Sequence, residues 1–478
     1  MQLSEGQQKA CEFLSAFILE AQEFPAVSIT GFLDDGVQET ITFEPGQVCA
    51  LVGPAGTGKT TVVRHVLDSM HKLHKTRLAM GLASKLPQVE FTATTNKAAE
   101  ALEHALNRGD VDSNVVSYST KTIHSHFNLV MKEDPKTLKD VLTSTRPEKI
   151  QNQGVIFIDE ASYVDFQLLY WISTKIAGKC KIVFMGDKYQ CKTADGTLPV
   201  FDTVNGEPVI PTVELTQIMR QADGNPIQDL AITLRNWVRD AGKTPACPID
   251  NKFLCWFPRD KFNAAILKDM SRDEWTYETS KVLAYRNRTV NALNKLIYSK
   301  VKGSQVIQVG DYVVNNQHVS GIKNRAPGIG TDRMVYIQTM EPSQQFGEHG
   351  YSIWTDSNPK GKNHPQTGSE YVPYFMPIDK NAISKLTKRF IKEVQEAEIG
   401  TAELIEARKK LDIVKGLWVD LRPVYSQTVH KSQGSTFRRV FIDLEDLSYC
   451  FDRDQLRRLL YVAVTRASVQ VVLTGDIP

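Results

Sequence analysis

A chain of 478 residues with 41% hydrophobic and 23% charged side chains has the composition of a soluble globular protein, and its length predicts about three domains. A formal net charge of only +2 excludes a strongly basic protein, although a basic channel between domains is compatible with it. Seven scattered cysteines without a CxxC pair argue against a zinc site and indicate a reducing compartment. No signal peptide or membrane span is evident, so we expect a cytoplasmic protein without a membrane partner.

Residues 48–61 read VCALVGPAGTGKTT, an apolar run followed by a turn of small residues and then a helix. Glycines allow backbone N–H groups to approach a polyphosphate, and the N-terminus of the helix attracts its charge. Lys59 would reach the β- and γ-phosphates, and Thr60 would bind Mg²⁺. The expected nucleotide contacts are Gly53, Pro54, Ala55, Gly56, Thr57, Gly58, Lys59, Thr60 and Thr61. Apolar residues recur at helical spacing after this loop, at Val62, Val63, Val66, Leu67, Met70 and Leu73.

Short apolar runs alternate with helical patterns through much of the chain. In the first half, strands are predicted at 89–93, 155–158 and 182–185, with a helix at 98–106. A second series of strands is predicted at 282–285, 440–444 and 469–473. This alternation is typical of parallel sheets covered by helices, and two series predict two α/β cores.

Two of the predicted strands end in polar residues that suit nucleotide chemistry. Residues 155–160 read VIFIDE, so Asp159 and Glu160 lie at the carboxyl edge of the sheet, where the phosphate-binding loop also lies. Asp159 would hold Mg²⁺ through water, and Glu160 would polarise the attacking water. The next strand leads to Gln190, which could touch the γ-phosphate, although alone it would more often be an ordinary loop residue.

Between the later strands lies a segment of different character. Residues 310–317 and 335–339 resemble antiparallel strands, and residues 379–416 show two amphipathic helices. Gly400 separates these helices, and Thr401 is a good N-cap for the second. We interpret the segment as a β-rich insert with a helical hairpin, whose charged surface is as compatible with simple solvation as with a working role.

Taken together, the motifs resemble those of superfamily-1 helicases. The phosphate-binding loop is followed in the expected order by IDEAS, GDKYQ, ELTQIMRQ, YSQTVHKSQGST and LLYVAVTRAS. The resemblance spans nearly the whole chain and is strongest to the RecD/Dda branch, especially to Dda-type phage helicases. The run from His430 to Gly434, HKSQG, favours this branch, as does the lack of Trp-Arg-Gly after GDKYQ.

The resemblance implies an α/β fold with two RecA-like parallel-sheet cores. The first core would comprise residues 1–127 and 154–215, interrupted by a small pin-type insert at 128–153. The second would comprise residues 216–305 and 425–478, interrupted at 306–424 by a β-rich, SH3-like insert with the helical hairpin.

The implied function is ATP-dependent, Mg²⁺-dependent unwinding of DNA with 5′-to-3′ movement on the single strand. Single-stranded DNA and its junctions with duplex would be the partners, with a single-strand-binding protein or replication machinery as further candidates. A phage-encoded protein would act in the host cytoplasm. Two alternatives stay open: a translocase that strips proteins from single-stranded DNA, and a nucleotide-switched binding module with little turnover.

The resemblance also assigns nucleotide contacts residue by residue. Gln7 resembles the glutamine that recognises adenine, and Gly434 belongs to the nucleotide contacts. Arg220 and Arg466 resemble the arginines that grip the γ-phosphate, a role that a planar, permanently charged guanidinium suits. Arg286 is a rival candidate for part of that role. Its neighbour Tyr285 could stack on the base.

Residues that resemble DNA contacts carry hydroxyl, imidazole or ammonium groups, which suit phosphate contacts without sequence information. They are Thr95, Thr122, His124, Thr428, His430 and Lys431.

The chain departs from the family pattern in several places. Thr94 stands where Dda-type proteins have proline, and the usual proline after Gln190 is missing. The segment 23–43 is longer than the family needs, and we assign it no function. The insert at 128–153 has no central aromatic residue, so Leu138 or Leu142 would have to act as the wedge in its place.

Overall fold

The computed structural model of the chain describes residues 3–82, 88–94, 96–107, 120–133, 140–146, 151–193, 196–217, 225–364, 368–398 and 400–476. Its helices are α1 (Glu5–Ile18), α2 (Lys59–Ala79), α3 (Asn96–Asn107), α4 (Ile123–His126), α5 (Phe166–Lys175), α6 (Pro226–Asp240), α7 (Arg259–Met270), α8 (Asn287–Lys302), α9 (Asn381–Glu396), α10 (Ala402–Leu417), α11 (Val429–Ser432), α12 (Leu444–Leu447) and α13 (Arg453–Thr465).

The strands up to the end of the first sheet are β1 (Val27–Phe32), β2 (Gln38–Phe43), β3 (Val48–Val52), β4 (Val89–Ala93), β5 (Thr120–Thr122), β6 (Leu129–Glu133), β7 (Asp140–Ser144), β8 (Gln151–Asp159), β9 (Ile176–Gly186), β10 (Thr203–Val204), β11 (Glu207–Pro208) and β12 (Thr212–Glu214). The later strands are β13 (Leu254–Trp256), β14 (Ser280–Ala284), β15 (Tyr312–Asn315), β16 (Met334–Gln345), β17 (Glu348–Thr355), β18 (Tyr374–Pro377), β19 (Leu421–Arg422), β20 (Ser426–Thr428), β21 (Phe437–Asp443) and β22 (Ala467–Thr474).

The first sheet has six parallel strands in the order β12-β3-β9-β8-β4-β5. Alternate residues of a strand point to opposite faces, so each face builds its own core. On one face, Ala50 packs in a cluster with residues of α5. On the other, Leu51 packs in a cluster with residues of α1, α2 and α3. This layering brings the carboxyl ends of β3, β8 and β9 to one edge of the sheet.

The segment before the phosphate-binding loop forms an antiparallel hairpin of β1 and β2. Val27, Ile29, Ile41 and Phe43 are buried and join the same cluster as α5. The long path expected between the first helix and β3 is therefore a folded element that covers one face of the first core.

The second sheet has the strand order β13-β22-β21-β14-β20. Its strand β14 is parallel to both β20 and β21, and all five residues of β14 are buried. Two parallel-sheet cores in an α/β protein confirm the predicted fold class.

An antiparallel sheet with the order β18-β17-β16-β15-β19 lies in the chain between α8 and β20. Helices α9 and α10 form a hairpin beside it, and the tip of β16-β17 reaches them, because Phe346 lies 5.2 Å from Phe390 between ring centroids. Thr401 caps α10 by accepting the Leu404 N–H at 3.3 Å, as the sequence indicated.

Packing divides the chain into two compact units. One comprises Met1–Cys255, Ser432–Thr436 and Cys450–Val471, and the other Trp256–Lys431, Phe437–Tyr449 and Val472–Pro478. This division into two units does not test the four predicted domains, so their bounds stay a prediction. Within the ranges that the structure describes, no helix is both long and apolar enough to span a membrane.

Candidate functional site

The turn between β3 and α2 has the backbone geometry that a phosphate-binding loop requires. Gly56 and Gly58 both have a φ of 85°, a conformation that side chains with a Cβ rarely adopt. Lys59, the first residue of α2, donates from Nζ to the carbonyl oxygens of Gly53 at 2.7 Å and Pro54 at 3.2 Å. The loop therefore closes around the ammonium group of Lys59.

Gln7 lies against this loop. Its Nε2 donates to the Thr57 carbonyl oxygen at 3.0 Å, and its Oε1 accepts the Ser4 N–H at 3.1 Å in a capping box at the start of α1. A Cβ added at Gly58 would clash with the Gln7 amide. Gln7 is thus buried against this loop, and its role toward adenine stays a prediction.

Asp159 ends β8, and Glu160 follows it with a φ of 53° in the left-handed region. Burial raises the pKa of Asp159, and the Lys59 ammonium opposes that rise. Burial, together with the charge of Asp159, raises the pKa of Glu160 to about 7, while the guanidinium of Arg466 opposes the rise. The two acids therefore share one water-poor site with Lys59 and Arg466.

The donor set of this site fits Mg²⁺, a hard cation that prefers oxygen ligands. Asp159 Oδ1 accepts the Glu160 N–H at 2.9 Å, and its other oxygen accepts no hydrogen bond from the described part of the chain. Thr60 lies in the first turn of α2, where its partly exposed hydroxyl can supply a second oxygen.

Gln190 follows β9 and joins two further segments. Its Oε1 accepts Nε2 of Gln433 at 3.2 Å and the Ser162 hydroxyl at 3.5 Å, and its side chain is buried. Within the described residues, Oε1 of Gln433 is a buried acceptor with no hydrogen-bond partner. Gly434 comes next, and a Cβ placed there would lie 3.7 Å from the Glu160 carboxylate. Gln433 and Gly434 therefore lie against the loop after β9 and the acidic end of β8.

Arg466 caps the C-terminal end of α13 and is only 4% exposed. It donates to the carbonyl oxygens of Val462 and Ser435, each at 3.2 Å, and to the Thr465 hydroxyl at 3.1 Å. A guanidinium has further N–H bonds that these contacts leave unused. The other predicted arginine finger, Arg220, lies outside the described residues.

The candidate DNA contacts are divided between the two compact units. In the first, Thr122 caps α4 by accepting the Ser125 N–H at 3.1 Å, and burial lowers the pKa of His124. Thr95, the third candidate DNA contact of the first half of the chain, lies outside the described residues.

In the second unit, the Thr428 hydroxyl accepts the Lys431 N–H at 3.3 Å, and Lys431 Nζ forms an ion pair with Asp332 at 2.6 Å. Burial lowers the pKa of His430, so its ring is neutral at pH 7, and it lies 6.1 Å from the Tyr285 ring.

Arg286, the rival arginine, is tied to its own unit. Its Nε donates to Asp446 at 2.6 Å, and its guanidinium stacks 3.3 Å from the centroid of the Tyr449 ring. The same Asp446 accepts the N–H groups of Tyr285 at 2.7 Å and Arg286 at 2.9 Å. This carboxylate therefore fixes the backbone of both residues, and their roles toward nucleotide stay predictions.

Sequence analysis missed three residues that hold this site together: Gln433, Arg458 and Tyr461. Arg458 Nη1 donates to the carbonyl oxygens of Lys188 at 2.7 Å and Gln190 at 2.9 Å. Arg458 and Tyr461 are three residues apart, so they lie on one face of the helix. This spacing is the feature of the sequence that could have indicated a shared role.

Comparison with known proteins gives two family matches. A model described as an AAA domain matches residues 36–242, and one described as a UvrD-like helicase C-terminal domain matches residues 423–474.

Curated relatives match over most of the chain. An uncharacterized protein of Acanthamoeba polyphaga mimivirus is 23% identical over 90% of this chain and 96% of its own length. The RecBCD enzyme subunit RecD of Buchnera aphidicola is 20% identical over 88% of this chain and 69% of its own. The ATP-dependent DNA helicase dda of Enterobacteria phage T4 is 22% identical over 88% of this chain and 92% of its own.

A solved structure of Pif1 helicase from Bacteroides with ADP-AlF3 and single-stranded DNA aligns with 100% of this chain and 93% of its own, at 14% identity and a TM-score of 0.44. The expectation of a specific likeness to Dda-type proteins is not confirmed, since the RecD and dda relatives are similarly distant at 20% and 22% identity.

Proposed function

We propose that the chain is an ATP-dependent helicase of superfamily 1 that moves 5′ to 3′ along single-stranded DNA and separates duplex strands as it moves. One observation carries this proposal: the positive charges of Lys59 and Arg466 both act on the buried carboxylate of Glu160, although the three residues come from distant parts of the chain. Such a site can bind a polyphosphate, activate water and neutralise the developing charge.

In this proposal each group has one task toward bound ATP. Lys59 binds the β- and γ-phosphates, and Glu160 orients the attacking water. Thr60 and Asp159 would hold Mg²⁺, which neutralises phosphate charge when bound. Arg466 meets the negative charge that develops on the transferred phosphoryl group, and Arg220 would do so beside it.

Gln190 would detect whether the γ-phosphate is present. Its side chain bonds to Gln433, which precedes Gly434 in the HKSQG segment, so the segment would respond to the same event. The motif continues back to Thr428, His430 and Lys431, which we propose as DNA contacts together with Thr95, Thr122 and His124. Neutral imidazoles and hydroxyls suit contacts that must be made and released at every step.

Duplex separation would fall to the hairpin of β6 and β7, in the span predicted as a pin-type insert. Met131 and Val141 are 58% and 39% exposed there and offer apolar surface to a terminal base pair. Leu142 packs against the first core, which leaves it a structural role, and Leu138 lies outside the described residues.

The partners would be single-stranded DNA and single-strand/duplex junctions, in the cytoplasm of the cell, or of the host for a phage-encoded protein. A single-strand-binding protein or replication machinery would be a further partner. The second candidate function is a translocase that displaces proteins without strong unwinding, which the lack of an aromatic residue in 128–153 favours. A binding module with little turnover is disfavoured, because Glu160 and Arg466 have no task in it.

The test is strand displacement with ATP and Mg²⁺ on three matched duplexes that carry a 5′ tail, a 3′ tail or no tail. We expect unwinding of the 5′-tailed duplex alone, with the Lys59→Ala variant inactive on all three. Preferential opening of the 3′-tailed duplex would overturn the polarity. Displacement of a protein block without strand separation would select the translocase.

A further inference from the structure

One face of α13 is bonded to the GDKYQ loop along its length. Gln455 Oε1 accepts the Lys192 N–H at 3.3 Å, Arg458 donates to two carbonyl oxygens of the loop, and the Tyr461 hydroxyl donates to Asp187 Oδ2 at 2.6 Å. Residues 455, 458 and 461 recur every three positions, so these side chains share one face of the helix.

The bond between Tyr461 and Asp187 is the most buried of these contacts. The two side chains are 2% and 1% exposed, and the second carboxylate oxygen accepts the Tyr189 N–H at 3.0 Å. Burial, reinforced by the charge of Asp187, raises the pKa of Tyr461 well above its usual value, so the hydroxyl keeps its proton and donates. A hydrogen bond to a charged group is strong where water is excluded.

Each end of this bond leads to a group of the proposed nucleotide site. Asp187 directly follows Gly186, whose carbonyl oxygen accepts the Gly53 N–H of the phosphate-binding loop at 3.0 Å. Asp187 also precedes Gln190 within one turn, in which the Gln190 N–H donates to the Asp187 carbonyl oxygen at 3.1 Å. At the other end, Tyr461 lies in the helix that Arg466 caps.

We propose that Tyr461 is a positioning residue that ties the γ-phosphate-sensing loop to the arginine helix through Asp187. Gln190 and Arg466 then approach the γ-phosphate as one rigid group, and neither has to be ordered separately at the moment of hydrolysis. The inference rests on the proposed function, because it assumes that Arg466 faces ATP. The inference adds Tyr461 to the residues that affect the rate of ATP hydrolysis, although Tyr461 itself would not contact ATP.

The variant Tyr461→Phe removes one oxygen atom and keeps the ring that packs in the core. It leaves Asp187 Oδ2 buried without its donor, so the loop loses its most buried bond to the helix of Arg466 and is held there only by the bonds of Gln455 and Arg458. We expect kcat of the DNA-stimulated ATPase to fall about tenfold, as the loss of about one hydrogen bond predicts, while KM for ATP stays nearly constant.

Tyr298→Phe is the matched control. Tyr298 is also buried and also donates to a buried carboxylate, Asp311, but it lies in α8 of the other compact unit. We expect both variants to lower the melting temperature similarly and only Tyr461→Phe to lower kcat. An unchanged kcat in Tyr461→Phe, in a preparation whose wild type shows DNA-stimulated turnover, would overturn the inference.

Asp187→Asn and the double variant complete a thermodynamic cycle. If the single bond couples the loop to the helix, the double variant is scarcely slower than either single one, because both remove the same interaction. Fully additive losses in kcat would show that Asp187 and Tyr461 act separately.

Hydrogen exchange with a non-hydrolysable ATP analogue gives a readout that does not depend on turnover. In the wild type, the analogue should slow exchange both in residues 187–192 and in the last turns of α13. In Tyr461→Phe, protection should persist in the loop and be lost from the helix. Equal protection of α13 in both proteins contradicts the coupling, whereas the failure of wild-type ATPase activity alone would contradict only the proposed function.

Discussion

Lys59 is the residue on which the nucleotide site depends most directly, because its ammonium group lies among the carbonyl oxygens of its own loop. We expect Lys59→Ala to abolish DNA-stimulated ATP hydrolysis, since the β- and γ-phosphates lose their positive partner, and to leave single-stranded DNA binding nearly intact. Lys72→Ala, on an exposed turn of the same helix, is the control and should behave as wild type. Substantial ATPase activity in Lys59→Ala would contradict the phosphate-loop assignment.

Glu160 has the task of orienting water, which differs from binding the metal ion. Glu160→Gln keeps the shape of the side chain and removes its charge, so we expect ATP binding to persist while turnover is lost. Nucleotide affinity, followed with a fluorescent analogue, and single-turnover hydrolysis separate the two effects. If affinity collapses while each bound ATP is still hydrolysed at the normal rate, Glu160 serves binding alone.

Arg466 should matter more for the rate than for binding. We expect Arg466→Ala to lower kcat by a factor on the order of 10³, as arginine-finger losses do, with a modest loss of ADP affinity. Arg466→Lys keeps the charge and loses the planar fork of donors, so it should recover little of the rate. Because Arg466 also bonds to Ser435 and Val462, thermal melting must show that both variants stay folded. A near-normal kcat in Arg466→Lys would point to a simple charge effect.

Among the secondary-structure elements, the hairpin of β6 and β7 is the proposed wedge. Replacing both Met131 and Val141 by alanine removes its exposed apolar surface, so we expect unwinding of a 5′-tailed duplex to fall severalfold. DNA-stimulated ATPase activity should stay unchanged, because neither residue lies in the nucleotide site. Leu142→Ala is the contrasting variant: it should lower thermal stability first, since Leu142 packs against the core. Equal losses of unwinding and ATPase activity in the double variant would argue against a separate wedge.

The secondary-structure elements that were predicted correctly from the sequence are those that depend on interactions between residues close together in the chain. Thr401 caps α10 through a neighbour three residues away, and the glycine before it, Gly400, has a φ of 90° that ends the preceding segment. The hairpin of β1 and β2 was not predicted, although its cause is also local, since Ile29 and Ile41 belong to period-2 patterns. Leu73 continues the helical spacing of apolar residues in α2 but is 42% exposed, since the buried residues of that helix end at Met70.

The contacts that remained unpredicted join distant parts of the chain. Tyr461 and Asp187 are 274 residues apart, and Gln190 and Gln433 are 243 apart. The motifs that contain these residues were visible, but which side chain meets which depends on how β9 and α13 are placed by the surrounding cores. A single sequence does not show which distant residues meet in the fold. The roles of individual residues could therefore be proposed, but the hydrogen bonds between those residues could not.

For the whole molecule, a net charge of +2 spread over 478 residues means that DNA affinity must come from a few local contacts. Those proposed here go to phosphates, so we expect affinity to vary little with base sequence and to fall as salt rises. Each phosphate neutralised on a single strand contributes about 0.7 to the slope of log affinity against log salt.

Lys431→Ala should therefore lower the slope by roughly that amount and weaken binding equally on all sequences, measured by fluorescence anisotropy of labelled strands. Asp332→Asn is the complementary variant, because Asp332 holds the same ammonium group at 2.6 Å and competes with DNA for it. Releasing Lys431 in this way should strengthen binding and leave the slope at least as steep. A marked preference for one base composition, or a slope that Lys431→Ala does not change, would place the DNA contacts elsewhere on the molecule.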